Sequence, residues 1–389
     1  MNVPKLRFKE FTDEWKQTPL KNIIYSNIIE APKPTTDYIR LGIRSHCKGT
    51  FHELVKIENI LSADKMYIVP KNNLILNITF SWEQAIAITD DNDEGKYISN
   101  RFPTFAFKDN QLPTFYKYII PQKRLKYDLN VASPGGAGRN RVLNKKLFLS
   151  IPVNIPLLKE QEKIAKFLTT VDKKITNLEN IITSLENQKK GLLQQIFSQK
   201  LRFKDKNGNN YPNWEKKKLE DISNITMGQS PDSDFVNTEK IGTPFLQGNA
   251  EFTNKYPIEK YWCTKPQKIA NPTDILLSVR APVGAINIAN KKFCIGRGLS
   301  AISFNCNKLF GKYNLEFNLF QLIKKSQGST FSSINKKDIS EVILFIPCLE
   351  EQTKIADFLS AFDRKLENQK AQLEHWKQIK KGLLQQMFV

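Results

Sequence analysis

The chain has 389 residues, 40% of them hydrophobic and 11% aromatic, five cysteines and a formal net charge of +20. That size and apolar content suit two ordinary domains and argue against wholesale disorder. The cysteines (Cys47, Cys263, Cys294, Cys306, Cys348) form no CxxC pair, no apolar run nears the roughly 18 residues of a membrane span, and the start MNVPKLRFKEF lacks a signal peptide's apolar stretch, so a reducing cytoplasmic setting away from membranes is expected.

In chain order, residues 1–154 read as a first mixed α/β domain. Strand-like runs fall at Met66–Val69, Asn73–Ile78, Ala85–Ile88 and Thr104–Phe107, each bounded by Gly, Pro, Asn or Asp. Basic and hydroxyl residues sit on the intervening loops: Arg40, Arg44, Ser45, His46 and Lys48, then Arg101, then Arg139, Asn140 and Arg141 within SPGGAGRNR. Residues 155–199 follow as a long helix. Its apolar positions Ile164, Leu168, Val171, Ile175, Leu178, Ile182 and Leu185 alternate steps of four and three, the seam of a coiled coil, until Lys189 interrupts it. Pro156 stands just before the helix, acidic Glu160 lies in its first turn and Lys189-Lys190 near its end, all consistent with the helix dipole.

The polar stretch KDKNGNNYP at 204–212 reads as a hinge, and residues 200–345 as a second α/β domain. Its strand-like runs are Ile275–Val279, Ala285–Ala289 and Leu299–Phe304, with a helix expected over Leu315–Lys325. Its loop candidates are Gln229, Ser230, Gln247, Asn249, Arg280, Arg297, Gln327, Ser329 and Thr330. Arg pairs with guanine, and Asn or Gln with adenine, by bidentate hydrogen bonds, so loops rich in these types suit base reading. Residues 346–389 close the chain with a second long helix, seamed by Ile355, Leu359, Phe362, Leu366, Leu373 and Trp376 and interrupted at Gln369 and Lys380.

The two helices are copies. IPLLKEQEKIAKFL…KKGLLQQIF and IPCLEEQTKIADFL…KKGLLQQMF align without a gap at a constant offset of 191 residues, and Asn144-Lys145-Lys146 and Asn335-Lys336-Lys337 keep the same offset. Fainter echoes join Leu6-Arg7-Phe8 to Leu201-Arg202-Phe203, and Trp15, Leu20 and Ile23 to Trp214, Leu219 and Ile222. The chain is thus variable block, repeat, variable block, repeat. The helices can pair antiparallel within one chain; parallel pairing between two chains is the competing reading. The surplus of 59 Lys and Arg over 39 Asp and Glu favours a nucleic-acid partner, unless Lys and Asn are simply abundant in the parent proteome.

Catalytic signatures are missing from the sequence. There is no GxxxxGK[ST] loop, and Gly135-Gly136-Ala137-Gly138 runs into Arg-Asn-Arg instead of a hydrophobic helix start. Asn271-Pro272-Thr273-Asp274 lacks the second proline and aromatic of an amino-methyltransferase tetrapeptide, and no acidic cluster suggests a nuclease metal site. His46, Cys47 and His52 are too few to make a zinc site of paired ligands.

The duplicated IPxLxEQxKIAxFL and KKGLLQQxF resemble the DNA specificity subunit of type I restriction-modification systems, as do ILLSVRAPVGAINIANKKFCIGRGLSAI (275–302) and the NITFSWEQAIAI and SNRFPTF stretches of 76–105. The resemblance implies two target recognition domains that each read half of an asymmetric bipartite site in double-stranded DNA. The two helices would pair as an antiparallel coiled coil with pseudo-two-fold symmetry, act as a ruler and bind two modification (methyltransferase) subunits, with two restriction subunits completing the assembly. S-adenosylmethionine, ATP and Mg would belong to those partners, with no cofactor, metal or catalysis in this chain. A specificity subunit of another restriction assembly, a cryptic nuclease or methyltransferase, and a coiled-coil scaffold remain as alternatives.

Overall fold

Each half of the chain builds its core from two small sheets laid over short helices. In the computed structural model, the residues described are 3–59, 65–136, 141–253, 256–327 and 333–388. By compactness the chain divides into one unit of Met1–Leu178 with Gln372–Val389 and another of Glu179–Ala371, so each long helix contributes to both.

The first unit contains β1 (Lys16–Pro19), β2 (Ile24–Ser26), β3 (Ile29–Ala31), β4 (Tyr38–Ile43), β5 (Thr50–Val55), β6 (Met66–Ile68), β7 (Leu74–Leu76), β8 (Ile86–Ile88), β9 (Tyr97–Ile98) and β10 (Thr104–Phe107). Then come α1 (Pro113–Ile119), α2 (Lys123–Val131), α3 (Lys145–Ser150), β11 (Pro152–Ile155) and the opening half of α4 (Leu158–Phe197). One sheet runs β2-β10-β7-β8, a second β3-β6-β9-β4-β5, and β1 pairs antiparallel with β11. Leu74, Leu76, Ile86 and Phe105 of the first sheet share a core with Phe115, Leu129 and Phe148 of the helices.

The second unit contains β12 (Glu215–Lys218), α5 (Leu219–Ile222), β13 (Ser223–Met227), β14 (Val236–Asn237), β15 (Thr243–Leu246), β16 (Tyr261–Cys263), β17 (Ile269–Ala270), β18 (Ile275–Ser278) and β19 (Ile286–Ile288). It continues with β20 (Phe293–Ile295), β21 (Leu299–Phe304), α6 (Lys308–Asn318), α7 (Phe320–Gln327), α8 (Lys336–Ser340), β22 (Ile343–Ile346) and α9 (Leu349–Gln386). Its sheets run β13-β21-β18-β19 and β14-β16-β15-β20-β17, with β12 on β22. The helix expected over 315–325 is two helices that meet at Leu319, because Phe310 and Leu315 on one side and Leu322 on the other turn into the same core.

The two units share a topology that their blocks do not announce in sequence. The four strands β5-β4-β9-β6 correspond in order to β16-β15-β20-β17, each with one parallel pairing at its centre (β4 with β9, β15 with β20). The fifth strand differs: β3 joins beside β6, whereas β14 joins beside β16.

What the repeated motif does is visible at each helix start. Glu160 is buried; its carboxylate accepts Nε and Nη2 of Arg7 at 2.8 and 2.7 Å and the indole N–H of Trp15 at 3.3 Å. In the second unit Glu351 takes Arg202 at 3.0 and 2.7 Å and Trp214 at 3.0 Å. The neighbouring glutamines are matched as well. Gln161 donates to Pro156 O and accepts from Leu112 N, and Gln352 donates to Pro347 O and accepts from Asn307 N. The first-turn acids therefore act through buried bidentate pairs, beyond their expected service to the helix dipole. The bond to Glu160 holds the Arg7 guanidinium above its usual pKa against the opposing effect of burial, and Glu351 does the same for Arg202.

Within each unit the two helix pieces lie antiparallel. In the first, Ile164, Ala165 and Leu168 share the core with Met387 while Asp172 bonds Lys380, so as α4 advances α9 recedes. In the second, Ile196 and Phe197 share the core with Ile355 and Leu359 while Lys189 bonds Asp363. The seam residues Val171, Leu178, Ile182, Leu185 and Leu366 are buried, and Ile175, Phe362, Leu373 and Trp376 half-buried. Leu366 and Leu373 lie on opposite sides of the chain's division into units.

Within the stretch 204–212, expected as a hinge, residues 205–209 form a closed turn. The Asp205 carboxylate accepts the backbone N–H of Asn207 and Asn209 at 2.8 Å each, which holds it below the usual carboxylate range, Asn209 contributing most.

Candidate nucleic-acid interface

In the first unit the candidate loops converge on one turn, residues 77–85, between β7 and β8. Asn77 N–H bonds Ala85 O, Ala85 N–H bonds Phe80 O, and Gln84 adopts a left-handed backbone that closes the turn. Three other loops bind to it. From the β4–β5 loop, His46 N–H donates to Glu83 O at 2.7 Å, Cys47 N–H to Gln84 O at 2.9 Å and Ser45 Oγ to the Glu83 carboxylate at 2.9 Å. From the β9–β10 loop, the Arg101 guanidinium donates to Thr79 Oγ1 at 3.1 Å, and Ile78 N–H bonds Arg101 O. From the α2–α3 loop, Leu143 N–H bonds Ile78 O, and the Arg141 guanidinium lies 5.1 Å from the centre of the Trp82 ring.

The candidates differ in how much of their chemistry is committed. Arg141 spends its donors on Ser133 O, Asn130 O and Asn130 Oδ1, so it braces its loop and stacks on Trp82. Arg40 lies within β4, ion-paired to Glu53 across the hairpin at 2.7 Å. Arg44 donates to Thr50 O and covers the Phe51 ring at 5.0 Å. His46, Lys48 and Arg101 are exposed. Arg139 and Asn140 lie outside the described residues. Two aromatics were not among the candidates: Phe80, exposed, and Trp82, half-buried, on the central turn. The signal was present, since NITFSWEQ places two aromatics on a polar turn between strands, and aromatic faces are platforms for bases. His52 is bonded to Asp93 at 2.9 Å, and among the described residues no group of His, Cys, Asp and Glu could hold a metal ion.

The second unit repeats the plan on equivalent loops. Ser230, after β13, accepts Gln247 Nε2 at 3.1 Å and Arg297 N–H at 3.2 Å. Gly298 N–H bonds Gln247 O, and Val279 N–H bonds Gly298 O, which brings Arg280 beside the same group. Ile334 N–H bonds Val279 O just as Leu143 bonds Ile78 in the first unit. Glycine permits this interlock, because a Cβ on Gly228 would sit 2.2 Å from Gly296 O and one on Gly298 would sit 2.7 Å from Gln247 O. Gln229, Gln247, Arg280 and Arg297 are exposed and Asn249 half-buried at the head of a short 3₁₀ turn. Neither Arg280 nor Arg297 is ion-paired among the described residues. Gln327 ends α7, while Ser329 and Thr330 lie outside the described residues.

Each unit thus carries a rim of loops whose backbones are bonded to one another; the tips offer guanidinium, ammonium and aromatic groups in the first unit and guanidinium and amide groups in the second. Such a rim can bind phosphate and read base edges. The fold and the rims define a duplicated nucleic-acid reader on a shared helical scaffold. The model of the type I restriction modification DNA specificity domain matches residues 17–187 and again 211–375, and the chain belongs to that family.

A relative from Methanocaldococcus jannaschii, the putative type I restriction enzyme MjaX specificity subunit, is 31% identical over 98% of this chain and 95% of its own. The crystal structure of the type I restriction-modification system S subunit from M. genitalium superposes with a TM-score of 0.64 at 14% identity, over 100% of this chain and 99% of that one. A chain from a structure of complex assembly and conformational transition in the type I R-M system gives 0.59 at 24% identity, over 96% and 97%. Proteins of this family are the non-catalytic, DNA-binding specificity components of restriction-modification, and this chain is one. Among the described residues no helix is long and apolar enough to cross a membrane.

Proposed function

We propose that the chain reads an asymmetric bipartite sequence in double-stranded DNA, residues 1–154 taking one half-site and 200–345 the other. The helices at 155–199 and 346–389 set the unread spacer. On this reading two modification and two restriction subunits assemble on the repeated scaffold, bringing S-adenosylmethionine, ATP and Mg with them. The observation that carries it is a duplicated scaffold under unduplicated tips. Glu160 and Glu351, with their Arg, Trp and Gln partners, are the same device twice, whereas the rims present Trp82, Arg101 and Lys48 in one unit and Gln247, Arg280 and Arg297 in the other. Identical partners need identical docking elements; two different half-sites need different tips.

The test is single-molecule methylome sequencing of a methylation-free host that expresses the chain with its neighbouring modification subunit. Methyladenine at one bipartite motif, lost when the chain is omitted, is the expected result. No new methylation, with the partner bound and its cofactor site intact, would overturn the reading. Within the rims, Arg280→Ala should relax one base position of one half-site, at about 1–3 kcal/mol, and leave the other half-site alone.

A further inference from the structure

The lysines that break the two heptad seams belong to a second duplicated device. In the first unit the Asp172 carboxylate of α4 accepts Tyr118 OH from α1 at 2.9 Å and Lys380 Nζ from α9 at 2.6 Å. In the second, the Asp363 carboxylate of α9 accepts Tyr313 OH from α6 at 2.7 Å and Lys189 Nζ from α4 at 2.5 Å. Asp172 and Asp363 hold the repeat offset, as do Lys189 and Lys380, but the tyrosines come from the two dissimilar blocks. Tyr118 is further held by Thr169 at 3.1 Å, and Lys189 lies 5.1 Å from the Tyr313 ring centre.

Each carboxylate therefore joins three elements at one point: a recognition-domain helix, the helix that follows that domain, and the antiparallel helix beside it. Burial, the largest effect, and the adjacent carboxylate both hold the Tyr118 and Tyr313 hydroxyls above the usual phenol range, so they remain donors at any working pH. A seam lysine is otherwise a cost, since an apolar residue would pack better in its place. A polar group at a seam position is best known as a device that fixes register.

We propose that the Tyr118–Asp172–Lys380 and Tyr313–Asp363–Lys189 clamps are positioning residues for DNA recognition, fixing each reading rim against the helix pair so that one spacer length is accepted. This rests on the bipartite reading above. On B-DNA a change of one base pair moves a half-site by about 3.4 Å and turns it by roughly 34°. A carboxylate that binds three elements with hydrogen-bond tolerance holds a rim well within that displacement. The tips that read bases are untouched by the clamps, so half-site identity and spacer length are set by different residues.

The experiment is the same methylome measurement on the complex, comparing wild type with the double variant Tyr118→Phe, Tyr313→Phe, and with Asp172→Asn, Asp363→Asn. The expected result is an unchanged pair of half-sites with about a tenfold rise in the share of methylated sites whose spacer differs by one base pair. The exchange Asp172→Lys with Lys380→Asp should restore part of the single spacing. The phenylalanine variants keep the ring packing, so they decide the matter if the asparagine variants fail to fold. A single spacing retained in the phenylalanine variants, or altered half-sites, would overturn the clamps' role. Absence of any bipartite motif with the wild type would instead defeat the reading on which it rests.

Discussion

Among single residues, Glu160 and Glu351 carry the greatest consequence. Glu351 is fully buried under Arg202 and Trp214. Removing one partner of a buried pair leaves the other charge unpaired, at about 3–5 kcal/mol. Glu351→Ala should therefore lower the urea midpoint of the second unit far more than Glu350→Ala, whose side chain is exposed. Arginine charge is secure here: pairing raises both guanidines above their ordinary range, so the stability they lend is present throughout the working range and lost only at more alkaline pH.

The thiols are a second residue-scale case. Burial pushes Cys47 and Cys294 up to about 12 and Cys306 to about 11 from an ordinary 9.0. A raised thiol pKa favours the neutral form in the fold, so this contribution is present below pH about 9 and is lost as pH rises through about 11–12. At pH 8 these three thiols should react with iodoacetamide only slowly in native protein and readily in urea, read by peptide mass. Rapid native labelling of Cys47 would contradict its placement.

At the scale of elements, backbone interlock and packing decide how the rims are held. The β13, β15 and β20 ends meet so closely that Gly228→Ala would drive a methyl into the Gly296 carbonyl. Overpacking of this kind costs about 1–3 kcal/mol, and here it should also displace Ser230 from Gln247 and Arg297. The expected outcome is a lower melting temperature together with weakened reading of one half-site only; equal loss at both half-sites would argue against separate rims. The strands at Thr104–Phe107 and Leu299–Phe304 were legible to the residue, because runs of β-formers end there at turn residues. The β4–β5 hairpin was not. Its outer strand TFHELV exposes Phe51 and Leu54, which hides the alternation that usually marks a strand.

For the whole molecule, continuity of the helices is the property to test. α4 is 40 residues long and α9 38, or about 60 and 57 Å at 1.5 Å per residue. Four residues added after Ser184 make about one turn, ~6 Å, and keep the seam's face. Because the pieces run antiparallel, a matching insertion is required in the facing turn of α9. The paired insertion should lengthen the methylated spacer by about one to two base pairs with both half-sites unchanged. Unchanged spacing would sink the ruler. The single insertion should instead destabilise the protein, since it shifts one side of a seam against the other.

How much of this was legible follows the range of the interactions. Heptad spacing, the 191-residue offset and the +20 charge are properties of neighbouring residues or of plain sums; from the first two the sequence alone determined two long helices and an internal duplication, and the third favoured an anionic partner. Leu6-Arg7-Phe8 and Leu201-Arg202-Phe203 registered only as faint echoes, because the carboxylates that give them meaning lie about 150 residues away in each case. Lys189 and Lys380 read as defects in a seam for the same reason: Tyr118, Tyr313 and the two aspartates come from other elements. Only the tertiary structure decided which loops share a rim, that Arg141 braces while Arg280 and Arg297 have no ion-pair partner among the described residues, and that Trp82 lies on the central turn of one rim. Local pattern records which face a residue must bury; it carries no record of what the fold brings to meet that face.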